Sequence, residues 1–340
     1  MKMETVVFFA QGLTKKKYRG YKFKMEKRTV VITGGNSGLG YQCAKNIALK
    51  SKNYTVVLAC RNKNKAVAAS ESLRNETGNP NIYSLELDLA SLASVREFHN
   101  SFKQENYPPL FSLVCNAGFN LPALAYTKDG FEATFGVCHL GHYLLANLML
   151  PQMMNNGRII FVSSDMHNPP KVIYPTTPAF KNSMELAYPE KNGKITTKSL
   201  MMRYPMAKLS NILCTREMAS RIGNETKKHV TVNAFNPGLM TDTNFMSPNI
   251  SKILRPIIAG FATLLSYVIN QHGSSTESGK HLAGLVTEQQ YEGATGKYYF
   301  RGKEEKTSKP AQDKAAAKKL WIESAELVQL KQDETILSRK

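Results

Sequence analysis

Short apolar runs, each closed by glycine, asparagine or a charged residue, alternate along the chain with longer stretches in which apolar residues return every three or four positions. The first pattern is that of a strand buried on both faces, and the second that of a helix with one buried stripe. Strands are predicted at Thr29–Thr33, Tyr54–Ala59, Asn81–Leu87, Phe111–Cys115, Arg158–Ser163, Val230–Phe235 and Tyr298–Phe300. Helices are predicted near Leu39–Leu49, Lys65–Asn75, Leu92–Gln104, Gly130–Met154, Arg203–Ile222, Thr276–Leu285 and Lys314–Leu330. Strands interleaved with helices build βαβ units, so the expected class is α/β, a single doubly wound parallel sheet of about seven strands with helices on both faces. Two long intervals, 165–200 and 239–275, break the rhythm. Both follow a strand, so both emerge at the carboxyl edge where such sheets bind ligands, and both are expected to cover a substrate.

With 340 residues, 42% of them hydrophobic, the chain can build a large core, which excludes a disordered protein. The organisation expected is a basic N-terminal arm over residues 1–27, one domain over 28–330 and a tail over 331–340. The net charge of +19 favours anionic ligands: nucleic acid, anionic lipid or a phosphate-bearing molecule. No basic motif interleaved with aromatics is present, so nucleic acid ranks last among these and no such partner is expected. Residues 1–28 hold nine Lys and Arg against Glu4 and Glu26, which reads as a solvated arm. The apolar Val6–Ala10 is too short for a secretory h-region, and the lysines follow it. Ile253–Ile269 is also too short for a membrane span and is interrupted by Arg255, Pro256 and Gly260. Together with the arm it makes peripheral membrane contact a compatible expectation. Cys43, Cys60, Cys115, Cys138 and Cys214 are scattered through apolar runs, as small buried hydrophobes are; a reducing, cytoplasmic setting without secretion is expected. A homo-oligomer is compatible with all of this.

The first strand runs into Gly34-Gly35-Asn36-Ser37-Gly38-Leu39-Gly40 and then a helix, the context in which glycines allow close backbone approach to a dinucleotide pyrophosphate at a helix N-terminus. The second strand ends Cys60-Arg61-Asn62, without the acidic residue that would bond a ribose 2′-hydroxyl. Arg61 is placed to meet a 2′-phosphate, so NADP(H) is the expected cofactor. Asp88, after the third strand, reads either as an adenine contact or as a helix N-cap. Tyr204 and Lys208, four residues apart, share a helix face, where the ammonium can lower the phenol pKa. Pro205 places the tyrosine in that helix's first turn, where a missing N–H costs little. Ser163-Ser164 ends the fifth strand, where a hydroxyl can reach a substrate oxygen. Cys138, His139 and His142 carry metal-ligand chemistry, but Cys138 is rotated about 100° from His139 on a helix, and no metal is expected.

Together these features resemble the short-chain dehydrogenase/reductase family, and the likeness covers nearly the whole chain after Lys27. Thr33, Gly34, Gly38 and Gly40 look like its Thr-Gly-x-x-x-Gly-x-Gly motif, and Asn116-Ala117-Gly118 like its Asn-Ala-Gly element. Tyr204 and Lys208 look like its active-site pair, Ser164 like its catalytic serine, and Pro237-Gly238 like its post-strand turn. The resemblance implies cofactor contacts from these residues and from Asn36, Ser37, Leu39, Arg61, Asn62, Asp88, Leu89 and Thr241. Ala59-Cys60-Arg61-Asn62, His139-Leu140-Gly141-His142 and Gly296-Lys297-Tyr298-Tyr299 are similar to the retinol dehydrogenase and protochlorophyllide reductase branch. Where that branch places an active-site asparagine before its His-Leu-Gly-His run, this chain has Cys138. The implied activity is hydride transfer between NADPH and a carbonyl, or the corresponding alcohol, of a bulky apolar small molecule. Tyr204 is the expected proton donor, Lys208 its pKa-lowering partner and Ser164 the group bonding the substrate oxygen. Reduction of a carbon–carbon double bond, or NADP binding without catalysis, are the alternatives.

Overall fold

The computed structural model describes residues 26–121, 123–171, 176–193, 195–240 and 272–340. Its main sheet contains β1 (Arg28–Thr33), β2 (Tyr54–Cys60), β3 (Ile82–Glu86), β4 (Leu110–Cys115), β5 (Met153–Val162), β6 (Thr231–Asn236), β9 (Tyr298–Phe300) and β10 (Lys303–Glu304), in the order β10-β9-β6-β5-β4-β1-β2-β3. Seven strands are parallel; β10, two exposed charged residues absent from the apolar pattern, adds antiparallel to β9. Leu239–Met240 (β7) and His272–Gly273 (β8) form a separate parallel pair. The result is the expected α/β Rossmann sheet.

Alternation along the strands divides the core between the two faces. Val31 and Val57 point into one apolar cluster, with Phe98, Leu144, Leu209 and Trp321. Val30, Ile32, Val56 and Leu58 point into the other, with Ile47, Leu73 and Leu282. The second face is covered by α1 (Gly38–Lys50), α2 (Lys63–Thr77) and α8 (Ser275–Thr287). The first is covered by α3 (Leu92–Gln104), α5 (Gly141–Met149), α7 (Thr197–Glu225) and α9 (Lys314–Leu327). All five cysteines are buried and unpaired.

Register sets the site. Thr33 pairs with Ala59, Ile32 with Val114, Cys115 with Phe161 and Val162 with Phe235. The carboxyl ends of β1, β2, β4, β5 and β6 therefore lie abreast and deliver Gly34, Arg61, Asn116, Ser164 and Pro237 to one rim.

Two expectations need correction. The helix predicted over Gly130–Met154 is α4 (Ala133–Phe135), a π-turn at Gly136–Leu140, and α5; Pro151 ends it in a 3-10 turn, and Met153 already belongs to β5. The helix carrying Tyr204 starts at Thr197 rather than Arg203, because Thr196 and Ser199 form a capping box; Pro205 lies inside α7, two turns from its start. Residues 331–340 pack on the domain: Leu337 is fully buried, Thr335 donates to Asn147 at 2.8 Å and Glu334 meets Arg96. No helix among the described residues is long and apolar enough to cross a membrane. The basic arm through Met25, Thr241 and Ile253–Ile269 lie outside the described residues.

Candidate active site

The turn after β1 is built for close approach. Gly34 and Gly38 adopt left-handed conformations (φ 65° and 52°). A Cβ on Gly40 would fall 2.5 Å from the Gly34 carbonyl and 2.6 Å from Asn116 Nδ2, so only glycine lets α1 start this near the turn. Ser37 precedes α1 without capping it through its side chain, which leaves the first-turn N–H groups, from Gly38 and Leu39 onward, free for an anion at the rim. Asn116 Nδ2 donates to the Thr33 carbonyl at 2.8 Å, and the Asn116 and Ala117 amides both donate to Thr33 Oγ1 at 2.9 Å. The turn and the segment after β4 are thereby one unit.

Arg61, at the end of β2, is exposed and forms no ion pair among the described residues. Asn62 caps α2 by accepting from the Lys65 amide. Asp88 is not the helix cap: Ser91 caps α3, while Asp88 accepts from the Ala90 amide and meets Lys128 at 3.1 Å. Leu89 is buried beneath it. On the far side, Asn236 accepts from the Gly238 amide, and Ser278 donates to the Pro237 carbonyl at 2.6 Å, fixing the turn after β6.

Tyr204, Lys208 and Ser164 come together at the middle of this rim. Tyr204 is 8% exposed and its hydroxyl hydrogen-bonds the Ser164 side chain; Lys208 Nζ lies 5.4 Å from the Tyr204 ring centroid. Lys208 Nζ donates to the Val162 carbonyl at 2.9 Å, and Ser163, the other serine of the pair, turns inward to donate to the Lys208 carbonyl. Burial holds the Tyr204 phenol well above its ordinary range; nearby Cys138 adds to this and the Ser164 hydrogen bond opposes it. Burial also lowers Lys208. The expected lowering of the phenol by Lys208 is not seen: the ammonium is directed at the Val162 carbonyl, and both groups are desolvated.

The family model for short chain dehydrogenase matches residues 28–184. Human retinol dehydrogenase 14 is 33% identical over 322 residues, covering 90% of this chain and 88% of that protein. The chloroplastic protochlorophyllide reductase of Chlamydomonas reinhardtii is 30% identical over 325 residues, covering 90% and 79%. The chain belongs to the short-chain dehydrogenase/reductase family. A crystal structure of a putative uncharacterized protein from Mycobacterium Paratuberculosis superposes with a TM-score of 0.64 at 27% identity, covering 89% of this chain and 94% of that one. Within this family of nicotinamide-binding oxidoreductases, the chain falls in the retinol dehydrogenase-like branch.

Against the family pattern, Cys138 lies in the π-turn and its thiol donates to the Phe119 carbonyl. It is close to the centre of the site: a Cβ on Gly118 would be 3.0 Å from Cys138 Sγ and 3.6 Å from Lys208 Nζ. The Cys138 carbonyl accepts from His142 Nδ1 at 3.2 Å, and His142 Nε2 lies 2.8 Å from Thr33 Oγ1. Since Thr33 Oγ1 already accepts two amide bonds, its single proton goes to His142 Nε2, which fixes the neutral Nδ1–H tautomer. Burial pushes His142 down to about 3, which agrees with that assignment. His139 faces elsewhere, toward Ser324 Oγ and the Phe135 ring. Among the described residues no three His, Cys, Asp or Glu side chains gather as metal ligands.

Three supports of the site escaped the sequence reading. His142 was visible as a metal candidate and in the His-Leu-Gly-His run but not as a support, although its four-residue spacing from Cys138 is that of a helical hydrogen bond. His167 donates from Nδ1 to the Ser164 carbonyl at 2.8 Å and accepts the Ser308 amide at Nε2, tying the serine to the segment after β10. Asn211, one turn beyond Lys208, shares the Val162 carbonyl.

Proposed function

We propose that the protein is an NADPH-dependent reductase acting on the carbonyl of a bulky apolar small molecule. The observation that carries this reading is the convergence of Tyr204, Lys208 and Ser164 at the rim where the glycine turn opens. Gly34, Asn36, Ser37, Gly38, Leu39 and Gly40 would hold the cofactor's phosphates on a turn braced by the buried Thr33, Arg61 and Asn62 its adenosine end with a 2′-phosphate, and Asp88 and Leu89 the adenine. Asn116, Ala117 and Gly118 would border the ribose and nicotinamide from one side, and Pro237 and Gly238 from the other. The absence of any acidic residue in Cys60-Arg61-Asn62 supports NADP(H) over NAD(H).

When bound, the nicotinamide supplies the hydride. Ser164 and the Tyr204 hydroxyl hold the carbonyl oxygen, and Tyr204 gives it the proton that completes the alcohol. A phenol raised by burial stays protonated through neutral pH, which is the state a proton donor needs. Lys208, with Nζ 5.4 Å from the Tyr204 ring centroid, would orient the tyrosine and offer its ammonium to a ribose hydroxyl of the cofactor.

The test is NADPH and NADH oxidation with a panel of long-chain aldehydes, ketones and quinones, with Tyr204→Phe alongside. Tyr204→Phe is expected to lose at least about 100-fold in kcat, the lower end for a general acid, while binding NADPH as before. Retained turnover in that variant refutes the mechanism. Tight NADPH binding without turnover of any substrate would favour the non-catalytic reading that Cys138, in place of the asparagine, supports.

A further inference from the structure

Residue 203, immediately before Tyr204, is an arginine whose guanidinium is almost wholly buried. Its side chain is 8% exposed and pairs at 2.9 Å with Glu132, which is 1% exposed. A charge pair this deep persists only where every donor and acceptor is used. Glu132 accepts from the Thr134 and Phe135 amides at the start of α4 and from Arg203 Nη1. Arg203 Nη1 also donates to the Ala123 carbonyl at 3.1 Å, Nη2 to the Leu121 carbonyl at 2.9 Å, and Nε to the Leu200 carbonyl at 3.1 Å. One planar fork thus joins three segments: the loop that leaves the site after Gly118, the capped start of the helix that carries Cys138, and the first turns of α7.

Those three segments are the ones that meet at the reacting groups. Gly118 abuts Cys138 Sγ and Lys208 Nζ, and Phe119, next in the loop, receives the Cys138 thiol hydrogen. Pro205 removes the N–H that would bond the Met201 carbonyl, so α7 is weakened one residue after Tyr204. We propose that Arg203, braced by Glu132, is a positioning residue that locks the loop following Gly118 and the helix carrying Cys138 to the Tyr204 turn, and so sets the placement of the proton donor against the substrate. A lysine cannot do this, since one ammonium on a flexible stem cannot span the carboxylate and two carbonyls in a fixed plane.

The inference rests on the reductase reading for its kinetic consequence, so the experiment has one arm that does not. Arg203→Lys and Arg203→Met are compared with the parent protein by hydrogen exchange, by NADPH affinity, and by kcat, KM and the pH profile of NADPH oxidation. Exchange of the Ala133, Thr134 and Phe135 amides, bonded to the Ala125 carbonyl and the Glu132 carboxylate, is expected to rise more than tenfold in both variants while β2 is unchanged. NADPH affinity is expected to stay within twofold, kcat to fall at least tenfold and the pH profile of kcat to shift. Unchanged exchange at Ala133, Thr134 and Phe135 in Arg203→Lys overturns the lock. Parental kcat, KM and pH profile in a variant that only melts earlier overturns the positioning role and leaves a structural ion pair. If Arg203→Met fails to fold, Arg203→Lys, which keeps the charge against Glu132, decides alone. A parent protein with no Tyr204-dependent turnover removes the reductase reading, and the exchange measurement then judges the lock.

Discussion

Thr33 shows how much a single hydroxyl can organise. Its oxygen accepts the Asn116 and Ala117 amides at 2.9 Å, its proton goes to His142 2.8 Å away, and the residue has no exposed surface. Through His142 the glycine turn reaches the carbonyl of Cys138, so the turn after β1 and the Cys138 end of the rim share one hydrogen-bond chain. Thr33→Val keeps the shape and removes every one of these bonds. Leaving buried polar groups unpaired costs about 1–3 kcal/mol each, so a loss of about 3 kcal/mol or more is expected, with weakened NADPH binding. Thr33→Ser, which keeps the hydroxyl, should stay within about 1 kcal/mol. Urea midpoints and NADPH titration read both; a Thr33→Val protein as stable as the parent would show that the chain carries no energy.

At the scale of elements, the face opposite α7 depends on how closely α1 and α8 cross. A Cβ on Gly279 would lie 2.3 Å from the Gln42 Cβ and 2.9 Å from the Gln42 backbone carbon, so the helices touch through a residue with no side chain. Gly279→Ala must push them apart, for a loss of about 1–3 kcal/mol of overpacking in thermal or denaturant unfolding. The same displacement moves Ser278 off the Pro237 carbonyl, so NADPH binding should weaken in step; unchanged stability would mean that the helices slide without cost. Neither Gly279 nor Ser278 advertises this role in the sequence, where both sit inside an ordinary amphipathic helix. Elements with a strong period were legible: all seven apolar strands occur, and α3 matches its expected bounds, Leu92–Gln104. What escaped was decided by contacts distant in sequence or by local bonds that compete with periodicity. The π-turn at Cys138 interrupts a continuous apolar pattern, and the Thr196–Ser199 capping box extends α7 back through Pro205. In the site, Ser164 was singled out of Ser163-Ser164 by the family resemblance, while the Tyr204–Lys208 pair was readable from type and spacing. Arg203 and Glu132 were not, because nothing local marks a pair separated by 71 positions.

Across the whole molecule, burial of neutral histidines makes stability depend on pH. His142 is held down to about 3 and His139 to about 4, and His99 and His167 are also lowered, in each case mainly by desolvation. In the unfolded chain all four return to the ordinary value near 6.5. On acidification below about 6.5 the unfolded state therefore takes up protons that the folded state refuses, and stability falls until the folded values are reached. Asp165, raised to about 6 by burial with Glu305 nearby, works in the opposite direction. Its folded form binds a proton between pH 6 and the unfolded value near 4, so acidification there favours folding; Glu305, also raised by burial, adds to this. Each full proton is worth about 1.4 kcal/mol per pH unit, and the four histidines outweigh the two carboxyls. The expected loss between pH 7 and pH 5 is on the order of 3 kcal/mol, seen as a lower urea midpoint. His139→Phe keeps a ring against Phe135, where the two now stack at 5.1 Å, and removes one titrating group. It should flatten the dependence by about one proton while its own cost, the lost bond to Ser324, stays constant with pH. Midpoints that coincide at pH 7 and pH 5 would mean that the histidines take up their protons in the folded protein or that the two carboxyls offset them fully, and either refutes the expected loss.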